Sequence, residues 1–166
     1  MQKTAAMLRD RLIQATSLAI ILLSASFVVI IIYAVASRYL LGFSLVWIEE
    51  IARFLLAWIV FLGISVALYQ RGHMAMIAVQ QKLSHRTKRL LEVVLDLLMI
   101  IFLAVVFSEG LDLAISVIPQ TSPALEITYF WPYLSIPTGA ALAIVQLLFK
   151  LSDDLRQVAD CFNSKH

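Results

Sequence analysis

Four apolar runs, each about as long as a bilayer is thick, alternate along the chain with short polar stretches. The first extends from Ala15 to Ala36, with Lys3, Arg9 and Arg11 before it and Arg38 after it. The second extends from Ile51 to Tyr69, holds Arg53 as its one internal charge, and closes at Gln70-Arg71-Gly72-His73. The third covers Leu90 to Ile118, and the fourth follows Phe130-Trp131-Pro132-Tyr133 and ends at Phe149. A spanning helix needs roughly 20 predominantly apolar residues, and its internal hydrogen bonds satisfy backbone groups that lipid cannot. The pattern therefore predicts an all-α integral membrane protein. Its four transmembrane helices are expected at about 15–37, 50–69, 90–117 and 131–149, in a single membrane domain over 1–166.

The connections carry their own pattern. Ala34-Val35-Ala36, after a basic start, resembles a signal-peptide cleavage site. The run before it exceeds the 7–15 residues of a signal peptide's apolar region, so a retained helix is expected. From 74 to 89, apolar Met76, Val79 and Leu83 and basic Lys82, Arg86 and Arg89 recur at helical spacing, predicting a short amphipathic segment on the cytoplasmic membrane surface. The third run is about 40 Å long as a helix, enough to overshoot the hydrocarbon layer at both ends. Its carboxylates, Glu92 and Asp96 near the start and Glu109 and Asp112 near the finish, are expected to be solvated at the interfaces. Of the thirteen Lys and Arg, eleven precede the first run, lie in the 71–89 connection or follow the fourth run. The positive-inside rule then puts both termini and that connection in the cytoplasm.

Composition agrees with lipid as the solvent: 61% of residues are hydrophobic, 14% are charged, and the mean hydropathy is +0.91. Cys161 is the one cysteine, so neither an internal disulfide nor a cysteine-held metal is expected. His73, His85 and His166 all lie outside the apolar runs, which removes ligands for a buried haem. Ser24, Ser26 and Ser65 have no histidine within the runs and read as helix-packing hydroxyls, so no enzyme activity and no cofactor are expected. The middle of each run also lacks the buried charge or broken helix that a stand-alone transporter uses. Nothing points to nucleic acid.

One polar cluster stands apart: Arg38, Trp47, Glu49, Glu50 and Arg53, around the connection between the first two runs. Glu49 and Arg53 are four residues apart and Glu50 and Arg53 three, spacings that allow ion pairs along one helix. Both glutamates would complement the helix dipole, and Trp47 suits the membrane interface. The cluster reads either as a local ion pair beside an anchor or as a polar contact with a partner subunit or a lipid headgroup.

Trp47-Ile48-Glu49-Glu50-Ile51-Ala52-Arg53, then Trp58-Ile59-Val60-Phe61-Leu62-Gly63, then Arg71-Gly72-His73-Met74, resemble the signature of the small membrane subunit of TRAP transporters, the DctQ or SiaQ type. Arg38-Tyr39, Trp131-Pro132-Tyr133 and Ile136-Pro137 are similar to the same pattern, and the likeness covers about Ile13 to Phe149. It implies a sodium-driven, ATP-independent importer of organic anions such as dicarboxylates or sialic acid, in a bacterial inner membrane. In that family a periplasmic substrate-binding protein (DctP or SiaP type) captures the substrate. The large membrane subunit (DctM or SiaM type) moves it, and the small subunit is a fixed, non-catalytic scaffold among membrane lipids. Trp47, Glu50 and Arg53 match the motif, with Gly63 and His73 at its following positions. Met74-Ala75-Met76-Ile77 departs from the alternation often found after the histidine, so His73 is given no specific contact. The other reading of a chain with this layout is a self-sufficient homodimeric four-helix exporter or channel.

Overall fold

A computed structural model of the chain describes residues 2–40, 42, 45–79 and 85–163. Five helices follow one another: α1 (Gln2–Leu40), α2 (Val46–Val79), α3 (His85–Ser116), a single turn α4 (Phe130–Tyr133) and α5 (Ser135–Asn163). No strand occurs among the described residues, where Thr121 and Thr128 form an isolated bridge. Four stretches are long and apolar enough to cross a membrane: Arg9–Leu40, Val46–Leu68, Val93–Ser116 and Phe130–Leu151.

Each helix runs past the apolar stretch that marked it. α1 begins in the polar segment ahead of Ala15, and α5 carries on through the polar residues after Phe149. The segment from Gln70 to Val79 was expected to turn out of the second helix at Gly72-His73 and open a separate amphipathic piece. Instead it continues α2 unbroken. A lone glycine costs a helix only about 1 kcal/mol, less than a turn of backbone hydrogen bonds returns. Of the expected 74–89 segment, 74–79 therefore belong to α2, 85–89 open α3, and 80–84 lie outside the described residues.

α5 packs against both α2 and α3, whereas α1 leans on α2 and makes no comparable contact with α3 or α5. The helices thus stand in a row, in the order α1, α2, α5, α3. Most of the core gathers along α5, where Ala140, Ala143 and Leu147 meet Leu103 of α3 in a buried cluster flanked by Leu68 and Ile100. Small side chains let backbones close up where lipid is as apolar as protein and association rests on packing. Gly139 is the tightest point: a β-carbon there would sit 2.7 Å from the carbonyl carbon of Phe61. At Gly110 a β-carbon would reach 2.5 Å from Ile136 Cγ2.

The start of the fourth span is broken by its prolines. Pro137 has no N–H to give back to the preceding turn, so the helix stops after Tyr133 and restarts at Ser135. Ser135 Oγ, fully buried, donates to the Pro132 carbonyl at 2.6 Å, and Thr138 Oγ1 donates to the Leu134 carbonyl at 2.8 Å. Hydroxyls elsewhere in the spans use the same device: Ser26 donates to Leu22 O and Ser65 to Leu62 O. Ser65 is a buried packing residue as expected, while Ser26 is exposed and bonds only its own helix.

The carboxylates of α3 divide. Glu109 and Asp112 are exposed, and the side chain of Glu92 lies outside the described residues. Asp96, expected to be solvated, is instead only 8% exposed and pairs with Lys150 of α5, whose Nζ lies 2.9 Å from Oδ1 and 2.8 Å from Oδ2. Burial against α5 removes its water, and the ammonium at the end of the fourth span replaces it.

Two outcomes follow for thermal unfolding of the chain in mild detergent. Gly139→Leu is expected to destabilise by about 3 kcal/mol, because the side chain must displace the α2 backbone, whereas Gly63→Ala should stay within about 0.5 kcal/mol of the parent. Lys150→Met, which leaves the Asp96 carboxylate buried without its cation, is expected to cost about 3 kcal/mol, and most of that should return in the Asp96→Asn, Lys150→Met double variant.

Candidate functional site

The start of α2 and the loop between α3 and α4 meet at one end of the row. The loop is a small hairpin built on backbone bonds: Ser122 N donates to Ile127 O at 2.9 Å, Tyr129 N to Gln120 O at 3.0 Å, and Glu126 N to Ser122 O at 3.0 Å. Glu126 takes a φ of +55° to close the tip. Left-handed backbone is uncommon for a residue other than glycine, and the contacts on either side of the tip hold it there.

Glu50 supplies those contacts. It sits in the first turns of α2 and is 4% exposed. Its carboxylate accepts a hydrogen bond from the buried Ser122 hydroxyl, one from Leu125 N at 3.1 Å and one from Ala124 N at 3.3 Å. Three donors converging on one anion make a nest in which a carboxylate can leave water. A residue 72 positions earlier in the chain therefore fixes the shape of the hairpin.

Arg38, in the last turn of α1, reaches across to Glu49, with Nη2 2.6 Å from Oε1 and both side chains more than half or about half exposed. The within-helix pairs expected of Arg53 do not form. Its Nε donates to the Glu49 backbone carbonyl at 3.3 Å, and no carboxylate pairs with its guanidinium among the described residues. Successive residues on a helix point about 100° apart, so Glu49 turns toward α1 and Glu50 toward the hairpin, and each finds a better partner than Arg53. Trp47 is 41% exposed at the start of the span, the position expected of an anchor.

Behind these charges lies a groove of about 380 Å³ between α2 and the α4–α5 segment, with Glu50 and Arg53 at one end and Phe61 and Ile136 among its apolar lining. Its wall is an aromatic ladder in which Phe54 meets Tyr129 edge-on at 6.0 Å and Tyr129 meets Tyr133 at 6.4 Å.

The structure thus brings together Arg38, Glu49, Glu50 and Arg53, with Trp47 close by in sequence. Gly63 stands apart from them on α2, and a β-carbon there would meet nothing within 4 Å. His73 lies in α2 beyond the apolar stretch, and its side chain is outside the described residues. Sequence reasoning missed Ser122 and Tyr129. The run Thr121-Ser122-Pro123 does carry a turn signal, but nothing in it names a glutamate on another helix as the partner.

This end of the row is the part that the family signature marks, and the match extends well past it. Residues 27–157 match the family described as tripartite ATP-independent periplasmic transporters, DctQ component. The chain belongs to the DctQ family. Over 113 residues it is also 34% identical to the isethionate TRAP transporter permease protein DctMQ of Oleidesulfovibrio alaskensis, an alignment covering 67% of this chain and 18% of that protein. The chain therefore spans less than a fifth of the relative it matches. Within this DctQ chain, the signature residues Glu49, Glu50 and Arg53 each have a different job: one ties α1 to α2, one shapes the α3–α4 hairpin, and one stands at the mouth of a groove.

Glu50→Ala leaves a hydroxyl and two backbone N–H groups without their acceptor, so it is expected to lower stability by about 2–3 kcal/mol and to open the hairpin. Limited proteolysis in detergent should then cut within 119–129, where the parent chain resists. Arg38→Ala removes an exposed pair and is expected to shift stability by less than about 1 kcal/mol, with no new cleavage.

Proposed function

We propose that this chain is the non-catalytic scaffold subunit of a sodium-driven TRAP importer of organic anions. It anchors the large transport subunit in the inner membrane and works with a periplasmic substrate-binding protein. The observation that carries the reading is family membership in a chain whose charged side chains gather toward the ends of its spans. The polar contacts described above, Glu50 with its hairpin and Asp96 with Lys150, hold helices and a loop to one another and leave no charged cage at mid-depth for an ion or a substrate. A row of helices with broad uncovered faces suits a part that lies alongside a larger one.

Both termini and the 71–89 stretch, which joins the second and third spans, face the cytoplasm in this proposal, because eleven of the thirteen Lys and Arg lie before the first apolar run, in that stretch or after the fourth apolar run. The α3–α4 hairpin, which has no basic residue from Pro119 to Tyr129, then faces the periplasm, together with Arg38, Glu49 and Glu50. Substrate and sodium sites belong to the large subunit. The relative's name, which joins isethionate to DctMQ, supports both an organic anion as cargo and a close association with a DctM-type partner.

Gentle detergent extraction of the tagged chain from its native membrane is expected to bring one large polytopic protein with it in about equal amount. Liposomes holding the chain alone should take up nothing, and uptake should need the large subunit, the binding protein and an inward sodium gradient together. Uptake by the chain alone, or recovery of the chain only with itself, would establish the homomeric exporter or channel instead.

A further inference from the structure

The groove at Arg53 has a chemistry that scaffolding does not use. Arg53 sits inside the Val46–Leu68 span, where a cation without a counter-charge is costly, and among the described residues no carboxylate pairs with it. The nearest carboxylate in the groove lining, Glu50, is committed to Ser122, Ala124 and Leu125. Tyr129 and Tyr133 on the facing wall make ring contacts, and no hydrogen bond of their hydroxyls is found among the described residues. The groove thus offers a guanidinium at one end and two tyrosines in its lining, while Ala57 and Phe61, four and eight residues further along α2, line an apolar continuation.

Those two residues lie about 6 and 12 Å deeper than Arg53 along the helix axis. The polar-to-apolar gradient therefore runs with the bilayer normal, as in a lipid lying beside a helix. We propose that this groove binds one glycerophospholipid, its phosphate on Arg53 and one acyl chain along Ala57, Phe61 and Ile136. A guanidinium at one end and an apolar wall running on from it along the bilayer normal match the charge pattern of one lipid, an anionic phosphate above an acyl chain. The site depends only on α2 and the α4–α5 segment lying in a bilayer, so it stands whether or not the chain scaffolds an importer.

The test uses the full chain, purified in mild detergent with whatever membrane subunit accompanies it and read by native mass spectrometry after delipidation. On re-addition, one molecule of dioleoyl phosphatidylglycerol or dioleoyl phosphatidylethanolamine is expected to be retained, and dioleoylglycerol, which has the same chains and no phosphate, is not. Arg53→Gln should lower retention at least tenfold, Arg53→Lys should restore part of it, and Ala57→Trp, which fills the groove and keeps the cation, should abolish it. With a photoreactive benzoylphenylalanine in place of Ala57, illumination of native membranes should add the mass of one phospholipid to the chain. Retention by Arg53→Gln equal to that of the parent, or a photoadduct to protein in place of lipid, would overturn the proposal, and the photoadduct decides it even if the other variants fail to fold.

Discussion

A carboxylate that leaves water at the start of a membrane span must be met by hydrogen-bond donors on every side, and that requirement on Glu50 organises one whole end of this protein. Helix α2 cannot supply the donors, because its own N–H groups are engaged or point along its axis. They come from a hairpin more than seventy residues later, whose tip must fold so that Ser122 Oγ, Ala124 N and Leu125 N converge. Closing the tip forces Glu126 into left-handed backbone, and the hairpin delivers Tyr129 onto Phe54. The short helix α4 begins directly after Tyr129, whose ring also meets that of Tyr133. Because an anion in low dielectric binds its donors strongly, the arrangement is rigid where a loop of this length would otherwise wander.

The same commitment explains why the neighbouring charges take the partners they do. Two adjacent glutamates and an arginine within one helical turn invite a reading in which they neutralise one another. Instead Glu50 turns inward, Glu49 turns to the Arg38 guanidinium, and Arg53 is left with a backbone carbonyl. In water such an arginine would be unremarked. Within a span its exposed guanidinium is the cation of this cluster without a carboxylate among the described residues.

Hydropathy located the four spans and separated them correctly, since lipid imposes a length and a composition that a sequence displays openly. It located the helix ends poorly: polar residues at both ends of α1 and within the last turns of α2 and α5 are helical, because apolarity reports the solvent and says little about the backbone. The Trp47–Arg53 signature lies at one end of the molecule, where Arg38, Glu49, Glu50 and Arg53 gather. Their partners were not legible, because helical spacing sees only one helix, while Ser122 and Lys150 come from others. Close approach was equally invisible. Gly63 belongs to the signature yet faces open space, while Gly139, which no motif marks, is where α5 touches the α2 backbone.

The order α1, α2, α5, α3 has a thermodynamic meaning of its own. Four helices in a square close on themselves with a seam on every side, whereas four in a line leave the two outermost helices with one neighbour each. In the most apolar window of α1 no residue is fully buried by the rest of the chain, although one side of the helix leans on α2. Stability in such a strip is open to mass action: any flat protein wall that binds the folded strip and not its separated helices raises its apparent stability in proportion to the logarithm of that wall's concentration. If such a wall is present in the cell, the abundance of the folded strip follows its supply, and copies made in excess are the ones that proteolysis removes first.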